Sequence, residues 1–348
     1  MNIVVNTKGA THAFECAAGE NILYAGLHSG IDLPYECGTG TCGTCKARLL
    51  SGDLASAWPE APGYVSVKRA AGELLMCQAL PGGDCELEIT RGTVGPMPTG
   101  ACLPARAGAV IRRRTPLTHD VASFDVELDR PIDFEAGQFM VMTVSGIAGG
   151  RAYSMVNYER RTRRLVFVVK AKPGGRLSEW FFGDGVEGAA VDLFGPLGHA
   201  TFDPGIDKHL LCIAGGSGIA GMMSILARAC QERYFDRHQG DVFFGVRTAG
   251  DLFFAGELAA FMAAAGEGLR VTLAFSEEDV DGAVAAAHPG FSFGRGFVHA
   301  VAGERMKGRF EHVRAYAAGP PPMVNAAIRM LLTEGKLRSA DIRYDKFS

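Results

Sequence analysis

Cys37, Cys42 and Cys45 stand at the spacing C-x4-C-x2-C among Gly38, Gly40 and Gly43, and the next cysteine along the chain is Cys77. Three thiolates delivered from one short loop to one centre force the backbone to wrap tightly, and glycines supply the freedom to do so. The spacing is that of a plant-type [2Fe-2S] loop, in which four thiolates hold two irons. Glycines also let amide N–H groups approach the sulfurs, which favours the added negative charge of a reduced cluster. A four-cysteine zinc site is the competing reading, but structural zinc sites usually bring paired C-x2-C knuckles, and this chain has one such pair. Cys37, Cys42, Cys45 and Cys77 are the expected metal ligands. Cys16, Cys85, Cys102, Cys212 and Cys230 read as small buried apolar residues.

The 348 residues around this loop exceed what one hydrophobic core usually organises, so two or three domains are expected. Residues 1–95 alternate short strand-like runs (Ile3 to Asn6, Ala13 to Cys16, Ala47 to Leu50, Glu86 to Thr90) with a helical stretch from Asn21 to His28, the pattern of a small α+β unit. This segment carries six Lys/Arg against ten Asp/Glu, whereas the whole chain has a net charge of -3, so no polyanion-binding surface is expected. Breakers crowd Arg91 to Pro104, and residues 96–104 read as a linker. From 105 to 203, the runs Val121 to Leu128, Phe139 to Val144 and Leu165 to Ala171 alternate between Gly and Pro breaks, as in an antiparallel barrel or sandwich. From 204 to 348, apolar strands (Leu210 to Ala214, Val242 to Val246, Leu269 to Phe275, Val313 to Ala317) alternate with helical stretches, which predicts a doubly wound parallel sheet. The longest apolar stretch, His209 to Ala229, contains four glycines and reads as strand, turn and helix, not as a membrane span. Met1 to Phe14 lacks the apolar core of a secretion signal, and nine cysteines without one point to a reducing cytoplasm.

Two further constellations carry chemistry. Arg151-Ala152-Tyr153-Ser154, followed by Lys170 and by Gly174-Gly175-Arg176-Leu177-Ser178, offers what a flavin needs. Tyr153 is a ring for the isoalloxazine, Ser154 a hydroxyl for N5, and Arg151 and the amides opening the helix with Trp180 suit a pyrophosphate, with Lys170 a further cofactor-binding candidate. Taken singly, Arg151 is a solvated strand cation and Tyr153 a wall residue; order and spacing favour the site. Gly215-Gly216-Ser217-Gly218 follows an apolar strand and opens a helix, the context of a pyrophosphate cradle, although it is not G-x-G-x-x-G. Gly319 and Pro320 end a second strand before a helix from Val324 to Leu332, and Arg247 ends a third, where it meets either a 2′-phosphate or the adenine. Plain helix–strand packing is the alternative for each glycine turn alone.

With these motifs in order, the chain resembles the reductase components of bacterial multicomponent oxygenases along essentially its whole length. The resemblance rests on the cysteine loop with Cys77, Arg151 to Ser154, Gly174-Gly175 with Ser178, Gly215 to Gly221, Gly319-Pro320-Pro321-Pro322-Met323 and Asp345-Lys346-Phe347. It implies a β-grasp ferredoxin, an antiparallel Greek-key β-barrel for FAD and a Rossmann-like parallel sheet for NAD. It also puts Phe347 near the flavin. The segment Trp58-Pro59-Glu60-Ala61-Pro62-Gly63 is similar to reductases of toluene-type soluble diiron monooxygenases. Ala318 stands where the family usually has a cysteine before Gly-Pro-Pro, so a thiol near the nicotinamide is missing. Hydride transfer is expected to persist, because the reacting atoms belong to the cofactors.

The implied activity is NADH-dependent electron transfer through FAD and the cluster to an external oxygenase or an intermediary Rieske-type ferredoxin. Neither nucleic acid nor membrane is an expected partner. Electrons for a Rieske dioxygenase, a P450 or a sugar-deoxygenation enzyme, and a non-catalytic redox-sensing module, are the alternatives. The nine histidines are scattered and none is assigned to a metal.

Overall fold

A computed structural model of the chain describes residues 1–280 and 282–347, so Ser348, the last residue of the 204–348 segment, lies outside the described residues. In the amino-terminal unit, the strands Ala10–Glu15, Asn2–Thr7, Cys85–Glu88, Lys46–Ser51 and Glu73–Leu75 lie side by side in that order. The helix Ile22–His28 packs across them with Ile22 to Leu27 all buried, and the Asn21 side chain caps it by accepting the Tyr24 N–H. The segment read as a linker is held down. Gly95–Pro96 pairs with Ile31–Asp32, the Met97 N–H donates to the Gly30 carbonyl at 2.8 Å, and His28 Nδ1 lies 2.8 Å from the Pro104 carbonyl.

The middle unit is one six-stranded antiparallel sheet. Its order is Arg151–Ser154, Phe139–Thr143, Ala190–Leu197, Ala105–Pro116, Val121–Ile132, Thr162–Lys170. The sheet curls until its edges meet, where Met155 bridges to Phe167. Side chains on a strand alternate between faces, and here both faces of one strand are covered. Met140 and Met142 point into the barrel core, while Phe139 and Val141 join the core of the amino-terminal unit together with Phe194 and Leu197. Tyr24 stacks on Phe194 with ring centroids 3.8 Å apart, and Tyr35 accepts the Gly198 N–H at 2.9 Å.

The last unit is a parallel sheet ordered Ser292–Arg295, Leu269–Phe275, Gly240–Val246, His209–Gly215, Val313–Gly319, Ile342–Lys346. The order reverses between His209–Gly215 and Val313–Gly319, and such switch points are where open α/β sheets receive ligands. His209 to Ala229 is strand, turn and helix, and among the described residues no helix is long and apolar enough to cross a membrane. The two edge strands were absent from the sequence reading because Ser292–Arg295 and Ile342–Lys346 are short and partly polar. Two barrel strands, Ala105–Pro116 and Ala190–Leu197, were absent as well; in the first, Arg112, Arg113 and Arg114 interrupt the alternation.

The carboxy-terminal strand touches the amino-terminal unit. Lys346 Nζ lies 3.9 Å from Glu36 Oε1, and the buried Asp345 sits in the field of Glu36. Burial, and secondarily Glu36, pushes the Asp345 carboxyl up to about 7. Between the ordinary carboxyl value and 7, the folded chain holds a proton that the unfolded chain has released, so stability falls as pH rises through that window. Asp345→Asn is expected to flatten this slope and to gain about 1 to 4 kcal/mol at pH 8 relative to wild type. Urea denaturation at pH 5 and pH 8 checks it, and parallel pH dependences in the two proteins would exclude Asp345 as the source.

Candidate functional site

The cysteine loop follows the buried helix and Leu33, and it folds with Gly38, Gly40 and Gly43 at φ of 67°, 86° and 79°. L-residues avoid this left-handed region, and at Gly43 a Cβ would also sit 2.4 Å from Ser66 Oγ. Cys77, in a turn after the strand Glu73–Leu75, places its Sγ 3.2 Å from that of Cys45. Cys37 Sγ accepts the amides of Thr39 and Cys42 at 3.4 Å each, and Cys42 Sγ accepts the Thr44 amide at 3.4 Å. The Cys42 thiol donates to Cys37, which brings the Cys37 thiol down to about 4 and pushes Cys42 up. Cys42 is exposed and the other three cysteines are buried. Four converging sulfurs, one already held as thiolate and ringed by amide donors, fit an iron–sulfur cluster with one edge toward solvent. Of the remaining cysteines, Cys16, Cys85 and Cys212 are buried, whereas Cys102 and Cys230 are half-buried.

On the strand Arg151–Ser154, among the described residues, two hydroxyls lack a hydrogen-bond partner and one cation lacks a carboxylate. Among the described residues, the Arg151 guanidinium bonds only the Gly150 carbonyl, at 2.8 Å, and the hydroxyls of Tyr153 and Ser154 make no hydrogen bond. Burial lowers the Arg151 pKa and raises that of Tyr153. Tyr153 packs edge-on against Phe181 at 5.6 Å, and Ser154 faces Gly221, where a Cβ would lie 3.4 Å from that of Ser154. A half-buried cation without an anion, beside an aromatic face and a free hydroxyl, fits a flavin with its diphosphate. The turn at Gly174 is more self-contained than expected. Its N–H is taken by Glu179 at 2.7 Å, and the Ser178 hydroxyl accepts from Lys172 N and donates to the Gly175 carbonyl. Phe347 packs against the same core as Tyr153, and its N–H donates to the Gly319 carbonyl at 3.0 Å.

Gly215, Gly216, Arg247 and Pro320 come together around a cleft of about 490 Å³ at the switch point of the parallel sheet. Ser217 and Gly218 continue the same turn into the helix Ile219–Gln231, and Gly319 lies against Gly215. Lys170 is placed here too: it ends its strand opposite Val121 and pairs with Asp120 at 3.0 Å. Arg247 pairs with Asp251 at 3.1 Å and lies 3.8 Å from Asp120. Both cations of the cleft are thus already matched by carboxylates. Phe297, 68 % exposed and stacked on His299, also lines the cleft. Sequence reasoning missed it, although an aromatic just after a glycine at a strand end is a readable sign. A larger recess of about 630 Å³, between the amino-terminal unit, residues 97–104 and the carboxy-terminal strand, is lined by none of the flavin- or nucleotide-site residues read from the sequence.

Comparison with known proteins gives these three regions their descriptions. Residues 5–82 match the 2Fe-2S iron-sulfur cluster binding domain, 108–202 the oxidoreductase FAD-binding domain, and 212–329 the oxidoreductase NAD-binding domain. The chain is 34 % identical to the ferredoxin–NAD(+) reductase component of the alkene monooxygenase system of Xanthobacter autotrophicus, over 96 % of this chain and 98 % of that one. It is 30 % identical to the reductase component of phenol 2-monooxygenase from a Pseudomonas species, over 99 % and 94 %. The solved structure of the ferredoxin reductase in carbazole 1,9a-dioxygenase superposes with a TM-score of 0.83 at 30 % identity, covering 100 % of this chain and 99 % of that one. Fold and sites therefore define an iron–sulfur flavoprotein oxidoreductase that binds a [2Fe-2S] cluster, FAD and NAD. The chain belongs to the family of reductase components of multicomponent oxygenases.

Gly218 sets the closest approach in the nucleotide site, since a Cβ there would fall 2.3 Å from the Ala318 carbonyl oxygen. Gly218→Ala is expected to push the two loops apart and raise the KM for NADH about tenfold or more, with flavin and cluster absorbance unchanged. Steady-state kinetics at saturating acceptor measures it, and an unaltered KM would mean that this approach is not part of the site.

Proposed function

We propose that the chain is the NADH-oxidising reductase of a multicomponent monooxygenase of the aromatic or alkene type, built as a ferredoxin unit (1–95), a linker (96–104), a flavin barrel (105–203) and a nucleotide domain (204–348). The observation that carries the reading is that the segments bearing the three candidate sites pack against one another in series. Gly221, at the start of the nucleotide helix, meets Ser154 of the flavin strand. The adjacent barrel strand presents Val141 and, with Leu197, meets Gly38 of the cysteine loop, where a Cβ would lie 3.3 Å from Leu197 and 3.6 Å from Val141.

In this reading Cys37, Cys42, Cys45 and Cys77 hold the cluster. Arg151 takes the flavin diphosphate, Tyr153 covers the ring, Ser154 stands at N5, and Phe347 flanks the ring. Gly215 to Gly218, Gly319 and Pro320 hold the dinucleotide, with Phe297 against its adenine. When bound, the flavin converts a hydride pair into single electrons that the cluster can relay. The chain's residues orient and exclude water, and no side chain is asked to move a proton. The exposed Cys42 edge is the exit to an oxygenase component or a Rieske-type ferredoxin. The nine free cysteines support a reducing, cytoplasmic setting.

Anaerobic titration with NADH, followed by absorbance and EPR, is expected to bleach the flavin and give the signal of a reduced binuclear cluster. Protein loaded with iron, sulfide and FAD that stayed oxidised under excess NADH would overturn the reading. Because Asp120 and Asp251 neutralise Lys170 and Arg247, a 2′-phosphate meets no free cation among the described residues that line the cleft, and kcat/KM for NADPH is expected to be about 100-fold below that for NADH. Comparable values would contradict this. The acidic excess of residues 1–95 supports electrostatic guidance to a basic patch on the acceptor, so acceptor reduction at limiting acceptor should slow as salt is raised. A rate indifferent to salt would remove that element.

A further inference from the structure

The turn from Ala57 to Ser66 belongs to the ferredoxin unit by sequence, yet its first aromatic reaches into the barrel. The Trp58 ring lies 4.8 Å from the Arg151 guanidinium carbon. The indole also covers Gly149, at φ 75°, where a Cβ would sit 2.6 Å from the Trp58 ring; a side chain at 149 would displace it. Arg151 has no carboxylate partner among the described residues, so one face of a half-buried cation is covered by a π-system and its hydrogen-bonding edge is left for an anion.

The same turn is tied to the cysteine cradle on both sides. The Ala57 N–H donates to the carbonyl of Gln78, next to Cys77, at 2.9 Å. The Gly63 N–H donates to the Gly40 carbonyl at 2.8 Å, and Ser66 Oγ lies against Gly43. Arg69 holds the turn from outside, bonding the Pro59 carbonyl and lying 3.7 Å above the Tyr64 ring. A rigid strut therefore runs from the cluster loop to the cation of the flavin strand.

We propose that Trp58 is a positioning residue for FAD: from the ferredoxin unit it holds the Arg151 guanidinium toward the flavin diphosphate, so that flavin retention depends on a contact between two units. The contact works by covering Arg151, not by touching the ring of the flavin. It makes the docked, correctly folded ferredoxin unit part of the flavin site. The inference rests on Arg151 binding FAD, which the experiment tests separately.

The full-length protein loaded with cluster and FAD is diluted, and the rise of free-flavin fluorescence gives the FAD release rate. Trp58→Leu fills the space without a π face, and Trp58→Phe restores one. Expected is release about tenfold faster in Trp58→Leu, near-wild-type release in Trp58→Phe, and unchanged cluster absorbance and EPR in both. In an Arg151→Ala background, which itself loosens FAD, the Trp58 substitution should add nothing. Wild-type release from Trp58→Leu, or equal losses from Leu and Phe, would overturn the role of Trp58. Wild-type release from Arg151→Ala alone would overturn the assignment of Arg151 instead.

Discussion

The arrangement depends on burying the outer face of two barrel strands. Phe139 and Val141 alternate with Met140 and Met142, so a strand that would expose half of its side chains in an isolated barrel buries all four. Burying each of these large apolar side chains contributes roughly 1.5–3 kcal/mol, and Phe194 and Leu197 on the neighbouring strand add to the same patch. The strand that follows in the hairpin is Arg151–Ser154. Hydrophobic burial thus fixes the cysteine loop beside the flavin strand with no covalent tie beyond the connecting residues.

Electrostatics at the nucleotide cleft are organised differently. Arg247 and Lys170 each face a carboxylate, so the cleft offers shape, apolar surface and backbone amides in place of net positive charge. At the flavin strand the logic is inverted: Arg151 is kept from solvent by Trp58 and left without an acid. The cations of the nucleotide cleft are compensated by carboxylates, and Arg151 has none among the described residues. This contrast fits a diffusible dinucleotide that must leave after each turnover and a flavin that must stay.

Chemistry carried by cofactors relieves the protein of general acids and bases, and the residues reflect this. The buried titratable groups near the sites, Tyr24, Tyr35 and Tyr153, are all pushed up by burial and stay neutral at ordinary pH. Asp345 is the exception, a carboxyl in the strand Ile342–Lys346 raised to about 7 by burial and secondarily by Glu36, one residue before the first cluster cysteine.

The cysteine loop, the glycine turns at 215–218 and 319, and the Arg151–Ser154 run were legible because spacing along one short segment encodes them: a loop that must turn tightly, or open a helix onto a phosphate, writes its needs locally. The cleft that Lys170 faces was not legible, for the opposite reason. The partner of Lys170, Asp120, precedes a paired strand that is distant in sequence, and which cleft a strand end faces depends on how the sheet curls. The contact of Trp58 with Arg151 and the anchoring of residues 95–104 escaped for the same cause. The sequence by itself determined three redox-competent segments and their order. Only the tertiary structure decided that they touch, because contacts such as Trp58 on Arg151 and Gly38 on Leu197 join residues from separate folding units, and no local pattern records which outer face of a barrel will be covered.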